Sequence, residues 1–152
     1  MNIDRRAALL SFSTMLLVGS RSFAAEQPLV TVHKDPNCGC CAGWAEHLEG
    51  HGFPVKTIET AQLNPLKARL GIPVELRACH TAEVGGYIIE GHVPARSIEK
   101  LLIERPQASG LAVPGMPQGS PGMTGDPEEY EVVLFGPNEQ RVYGRFKSEQ
   151  EI

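Results

Sequence analysis

Leu29-Val30-Thr31-Val32-His33-Lys34-Asp35-Pro36-Asn37-Cys38-Gly39-Cys40-Cys41-Ala42-Gly43-Trp44-Ala45-Glu46-His47-Leu48 is the stretch that decides the fold. It opens with the strand-like run Leu29 to Val32. It closes with Cys41, Trp44, Ala45 and Leu48, spaced i, i+3, i+4, i+7 like the apolar face of a helix. Asp35, Pro36, Asn37 and Gly39 supply turn chemistry between the two. The cysteines therefore sit where a strand gives way to a helix, beside free backbone N–H groups and the positive end of the helix dipole. That setting lowers thiol pKa values and favours thiolates. Thiolates either exchange disulfides or bind soft metals, and both chemistries stay open at this point.

Toward the N-terminus, Arg5 and Arg6 precede an apolar run from Ala7 to Val18, followed by Ser22-Phe23-Ala24, a small-x-small cleavage pattern. The run is too short for a bilayer, which needs about 20 residues. Residues 1–24 read as a signal peptide, cleaved after Ala24. Asp4-Arg5-Arg6-Ala7-Ala8-Leu9-Leu10 loosely resembles the twin-arginine signal, so the Sec and twin-arginine routes both stay open. Removing 24 of the 152 residues leaves 128, a suitable length for one domain with its own core. Removing Arg5, Arg6 and Arg21 from the 14 basic side chains, and Asp4 from the 18 acidic ones, leaves 11 and 17, a formal charge of −6. With no basic block, nucleic-acid binding is not expected. No second apolar segment follows, so no membrane span is expected after cleavage.

Toward the C-terminus, Gly50-His51-Gly52 ends the first helix and Pro54 to Ile58 reads as a second strand. Asn64-Pro65 caps a short helix in which Leu66 and Leu70 share a face. Cys79-His80-Thr81 and Gly85-Gly86 precede a third strand, Tyr87-Ile88-Ile89. Pro94 opens a helix with the stripe Ile98, Leu101, Leu102, which Pro106 limits. From Gln107 to about Glu128 there is no periodicity, only a long Gly/Pro/Met loop of a length uncommon in compact domains unless functional. Tyr130 to Phe135 and Arg141 to Phe146, joined by Gly136-Pro137-Asn138-Glu139, read as a closing hairpin. The order β-α-β-α-β-α-β-β, with Cys-x-x-Cys at the first strand–helix junction, predicts a single α/β thioredoxin-like domain over residues 25–152. A central mixed sheet and a three-layer tendency are expected.

Two structural disulfides would be the ordinary use of four cysteines in an exported chain. Spacing opposes it: Cys40 and Cys41 are neighbours, and the Cys38 to Cys40 ring is nearly as tight. Loops this short also confer little stability when cross-linked. A reactive or metal-binding cluster is better supported. Thiolates with imidazoles leave zinc in play, whereas thiolates with thioethers select Cu(I). Met116 and Met123 lie in Pro114-Gly115-Met116-Pro117-Gln118-Gly119-Ser120-Pro121-Gly122-Met123, where no core periodicity needs them, and read as ligands. His80 can add an imidazole beside Cys79. His33, His47 and His51 read as ordinary polar residues. The role of His92 in Glu90-Gly91-His92-Val93-Pro94 stays open between a ligand and a turn residue.

Asn37-Cys38-Gly39-Cys40-Cys41, Cys79-His80-Thr81, Glu90-Gly91-His92-Val93-Pro94 and Gly115-Met116-Pro117-x-Gly119-Ser120-Pro121-Gly122-Met123 match, in order, the motifs of a known family. From Asp35 to about Phe146 the chain resembles the CopG-like family of exported bacterial copper-resistance proteins. The resemblance implies a thioredoxin-like fold, a periplasmic location and a Cu(I) site built from the cysteines.

The expected function is periplasmic Cu(I) binding in copper resistance. Cys38, Cys40, Cys41 and Cys79 would supply thiolates, with Met116, Met123 and His80 completing or covering the site. Cysteines so close share metal through bridging thiolates, which points to several copper ions in one cluster. A periplasmic copper chaperone or efflux protein is the expected partner. The alternative from another class is a thiol–disulfide or copper-coupled oxidoreductase, in which Cys38 attacks and Cys41 resolves.

Overall fold

A computed structural model of the protein describes residues 26–152. The expected signal peptide, 1–24, lies outside these residues. The chain forms β1 (Val30–Lys34), α1 (Gly39–Gly50), β2 (Val55–Glu59), α2 (Leu63–Arg69), β3 (His80–Val84), β4 (Tyr87–Glu90), α3 (Ala95–Glu104), β5 (Gly110–Ala112), β6 (Glu129–Gly136), β7 (Glu139–Lys147) and β8 (Gln150–Glu151). A single 3₁₀ turn at Val74–Leu76 separates α2 from β3.

All the strands join one mixed sheet in the order β2-β1-β3-β4-β5-β6-β7-β8. The pairs β1/β2 and β4/β5 are parallel and the others antiparallel. The β2-β1-β3-β4 part, with its helices, is compatible with a thioredoxin-like layer. The C-terminal hairpin extends the sheet beyond it.

Side-chain alternation along the strands sorts the core into two faces. Val30, Val32, Ala82, Val84, Tyr87 and Ile89 share one cluster with Trp44 and Leu48 of α1 and Ile98 and Leu101 of α3. Ile72, Leu76, Ala112 and Phe135 form a smaller cluster on the other face, packed by Leu70, Ile88 and Val133. The sheet is thus a middle layer between α1/α3 and the α2 region.

Three local readings differ from the sequence pattern. The segment read as a featureless loop from Gln107 contains β5, whose three residues are too few to show a period. Gly110 is required there, because a Cβ would lie 1.8 Å from the Ile88 carbonyl oxygen across the ladder. His80 to Val84 is a strand, hidden because two of its buried residues, His80 and Thr81, are polar; it pairs with β4 through the Gly85-Gly86 turn. In α2 the residue that faces the sheet fully is Lys67, while Leu66 and Leu70 are half-buried.

Among the described residues no helix is long and apolar enough to cross a membrane.

Candidate metal centre

The centre is assembled from the start of α1 and the entry to β3. Helix α1 begins at Gly39 with Cys38 as its N-cap, so the cysteines occupy the first turn. Cys41 is fully buried, on the same apolar face as Trp44, Ala45 and Leu48. That periodic face therefore fixes which way the first turn points. The antiparallel pairing of β1 with β3 sets Lys34 opposite His80. It brings Cys79, immediately before β3, to the same end of the sheet as α1's first turn.

The sulfur atoms of Cys38, Cys40, Cys41 and Cys79 all lie within 4.8 Å of one another. Cys38 and Cys41 are joined as a disulfide, whereas Cys40 and Cys79 are free. Cys40 Sγ is 3.5 Å from Cys38 Sγ. A second group overlaps the first at Cys79, where that sulfur, His80 and His92 again lie within 4.8 Å. His80 Nδ1 is 3.3 Å and His92 Nε2 is 3.0 Å from Cys79 Sγ. Cys79 is therefore the residue that joins a sulfur cluster to an imidazole pair.

The two imidazoles are held in place by their surroundings. His92 Nδ1 lies 2.6 Å from the Pro121 carbonyl oxygen, so this nitrogen carries the proton and donates it. The Nε2 lone pair is then directed at Cys79, the arrangement in which a second contact orients a metal-binding histidine. His80 packs between rings, 4.4 Å from Trp44 and 5.1 Å from His92, centroid to centroid. Trp44 is itself fixed by donating its indole N–H to the Val93 carbonyl oxygen at 2.8 Å. His80 Nε2 is buried and makes no hydrogen bond. A buried polar atom without a partner is uncommon and asks for an explanation, and an absent ion is one.

Burial dominates the electrostatics. It pushes the Cys79 thiol up to about 12, reinforced by Cys40 and only partly opposed by Lys67. Burial holds His80 well below its ordinary value, with His92 and Lys67 adding to the effect, and holds His92 down as well. In the metal-free protein the centre is thus a neutral thiol beside neutral imidazoles. A soft cation bound there would have to displace the Cys79 proton, whereas the neutral imidazoles would need to lose none.

The Gly/Pro loop lies over the start of α1. Gly122, at φ +84°, is so close that a Cβ would lie 2.5 Å from Trp44 N and 2.7 Å from the Cys40 carbonyl oxygen. The adjacent Met123 is half-buried, its N–H bonded to the Ser120 carbonyl oxygen at 2.8 Å. Met116 is 54% exposed and lines a surface groove with Pro114, Pro117 and Glu128 to Glu131. The structure thus sets Met123 directly after the glycine that packs on the first turn of α1, and Met116 on an open surface.

The donor set fits Cu(I). A metal–thiolate bond of about 2.3 Å, as at zinc, lets one ion bridge sulfurs up to about 4.6 Å apart. The four sulfurs meet that limit closely, and sulfur-rich sites prefer Cu(I). Cys38 and Cys41 could ligate a metal only once their disulfide is reduced.

Residues 76–123, which run from just before Cys79 to Met123, match a family described as "Protein of unknown function, DUF411". Two solved structures, described as copper resistance protein CopG in forms 1 and 2, superpose with a TM-score of 0.75 and 44% sequence identity. They cover 80% of this chain and 98% and 99% of their own. The chain belongs to the CopG family. No curated protein matches it.

Within this CopG-family fold, the sequence-derived residues Cys38, Cys40, Cys41, Cys79 and His80 come together. His92, left between ligand and turn residue, joins them. The clue was its place in Glu90-Gly91-His92, but only tertiary structure reveals that Cys79 and Pro121 occupy its two nitrogens. His33, His47 and His51 each have carboxylate neighbours elsewhere: Glu83 for the first and Glu149 for the other two.

Proposed function

We propose that the protein binds Cu(I) in the periplasm, serving copper resistance by sequestering the ion or passing it to a chaperone or efflux partner. The observation that carries this reading is the meeting of four sulfurs and two imidazoles at Cys79, with His80 Nε2 buried and unpartnered. On this reading Cys38, Cys40, Cys41 and Cys79 supply thiolates that bridge more than one ion. His80 and His92 bind from the β3–β4 side, and Met123 and Met116 cover the site or receive the ion as it leaves. The protein's own part is to exclude water, orient two neutral imidazoles and release one thiol proton per Cys79–metal bond. The signal peptide over 1–24 supplies the location. Anaerobic Cu(I) titration of the reduced protein, followed by X-ray absorption at the copper edge, tests the assignment. Sulfur-dominated coordination with copper–copper contacts is expected; preference for zinc, or oxygen ligands, would refute it.

The Cys38–Cys41 disulfide favours a second reading, a redox role for that pair. Its reduction consumes two electrons and two protons and yields two thiols; two Cu(I) ions becoming Cu(II) would supply the electrons. Insulin reduction measured beside the copper titration separates this from general disulfide exchange. Activity without copper would favour exchange. Electron transfer only with copper present would favour copper-coupled chemistry.

A further inference from the structure

On the opposite face of the sheet, behind Cys79, lies a charged cluster that the donor set does not use. Lys67 of α2 is 2% exposed, and Thr81 and Glu90 are fully buried. Lys67 Nζ donates to Glu90 Oε1 at 2.5 Å and to Thr81 Oγ1 at 2.8 Å. The Thr81 hydroxyl donates to Glu90 Oε2 at 2.6 Å, and the Ala78 N–H donates to Glu90 Oε1 at 2.7 Å. Both carboxylate oxygens are thus engaged. The backbone group they hold belongs to the residue immediately before Cys79.

This placement is poorly explained by stability alone. Desolvating a lysine and a glutamate offsets much of their attraction, and apolar residues of similar volume are often as good or better. The chain has apolar candidates at hand in the half-buried Leu66 on the same helix and Leu70 at its C-cap. What an apolar pair cannot do is accept the Ala78 N–H. Ala78 and Cys79 precede β3, so they lie outside the ladder that fixes His80 onward. The carboxylate ties this short segment to β4. Lys67 and Thr81 hold the carboxylate where it reaches this segment.

We propose that Lys67, Thr81 and Glu90 are positioning residues that hold Cys79 against the Cys38–Cys41 cluster, the carboxylate fixing the Ala78–Cys79 backbone and the ammonium and hydroxyl fixing the carboxylate. The function so positioned rests on the copper-binding reading; the positioning itself does not. Two measurements keep these apart.

The first needs no copper. With Cys38→Ser and Cys41→Ser, the thiols left are Cys40 and Cys79. Diamide takes two electrons and two protons from them, forming one disulfide and becoming its hydrazine. The rate reports how well the two sulfurs are held together. Adding Lys67→Met with Glu90→Leu, which removes both charges and the acceptor of the Ala78 N–H together, should slow this cross-link at least tenfold while thermal melting stays cooperative. The second measurement is Cu(I) affinity of the reduced protein by competition with a chelator. The Lys67→Met/Glu90→Leu pair should weaken it at least tenfold in the otherwise native protein. In a Cys79→Ser background the same pair should change it less than twofold, because a residue that acts through Cys79 has nothing left to act on. A folded double variant with native cross-linking and native affinity overturns the proposal. So does an equal loss of affinity with and without Cys79, the signature of a general structural effect. If the double variant does not fold, Thr81→Val decides: a threefold slower cross-link is expected, and an unchanged rate refutes the idea. If the native protein binds no Cu(I), the copper reading fails and the cross-link alone judges the positioning.

Discussion

Both ends of α1 gather metal-capable side chains, and they differ in what their nitrogen atoms are already doing. At the C-terminal end His47, His51 and Glu149 lie within 4.8 Å of one another, a limit that both groups at the N-terminal end also meet. Yet His47 Nε2 accepts the Ala95 N–H at 3.1 Å, which forces the proton onto Nδ1, 3.2 Å from Glu149. Each ring nitrogen of His47 is spent on joining α1 to the start of α3 and to the turn before β8. At the other end, His92 has its Nδ1 engaged and its Nε2 directed at a sulfur, and His80 Nε2 is unpartnered. Proximity alone does not distinguish a metal site from a clamp. The accounting of lone pairs does.

The largest expected effect tests that distinction directly. Cys79→Ser removes the one residue common to the sulfur and imidazole groups and should lower Cu(I) affinity by at least about 100-fold, beyond the range seen for residues that only orient ligands. His47→Ala with His51→Ala should leave affinity within about twofold while lowering the melting temperature. Chelator competition and thermal melting on the same preparations check both. Undiminished copper binding by the Cys79→Ser protein would undo the assignment of the centre. Fully oxidising the cysteines should abolish tight binding as completely, and reduction should restore it, since only thiolates ligate.

The imidazoles come next. His92→Ala should weaken Cu(I) binding by about 10- to 100-fold, and His92→Gln should not rescue it, because an amide oxygen is a poor soft-metal ligand. Equal affinity of both variants and the native protein would return His92 to the role of a turn residue.

Much of this was legible beforehand, and the gaps have physical causes. The strand–turn–helix around Cys38 showed in periodicity because α1 and β1 each bury a single face. The Ile98 stripe of α3 showed for the same reason. Lys67 was invisible because a lysine on a short helix normally means solvent, and its partners Thr81 and Glu90 lie on strands far along the sequence. Strand β5 was invisible because it owes its position to the close approach at Gly110 rather than to any pattern. The cysteine motif announced a thiol site, but the disulfide between Cys38 and Cys41 and the partial burial of Cys79 are properties of the packed centre.

A pH series sharpens the comparison further. Burial lowers the pKa of His80 and His92 at one end of α1, and of His47 at the other, where Glu149 partly opposes it. The folded protein then binds fewer protons than the unfolded chain, whose histidines titrate near 6.5. The stability so conferred is complete above about pH 6.5 and is lost as pH falls toward the lowered folded values. The melting temperature of the metal-free protein should therefore be level between about pH 7 and 8 and fall steadily below about 6.5. His80→Phe, which keeps a ring against Trp44, should blunt the fall more than His47→Gln, since His80 is held down further and has no carboxylate beside it. A melting temperature independent of pH down to about 5 would show that the rings are not buried as described.

The smallest effects are expected at the methionines, and their order matters more than their size. Thioether sulfur is neutral, so it keeps its donor ability at acidic pH, where protons compete for thiolates and imidazoles. Met123 adjoins Gly122, which is pressed against the first turn of α1, while Met116 is more than half exposed beside Glu128 to Glu131. Replacing either by leucine preserves volume and apolarity, so folding stability should change by less than about 1.5 kcal/mol. Met123→Leu should speed copper loss to a chelator at pH 5 more than at pH 7. Met116→Leu should leave retention nearly native and act on transfer to an acceptor, where an exposed thioether is the first sulfur a leaving ion meets. Equal, pH-independent behaviour of both variants would make the loop a cover without ligand function. A larger retention defect at Met116 than at Met123 would mean that the loop closes further over the cysteines once copper is bound.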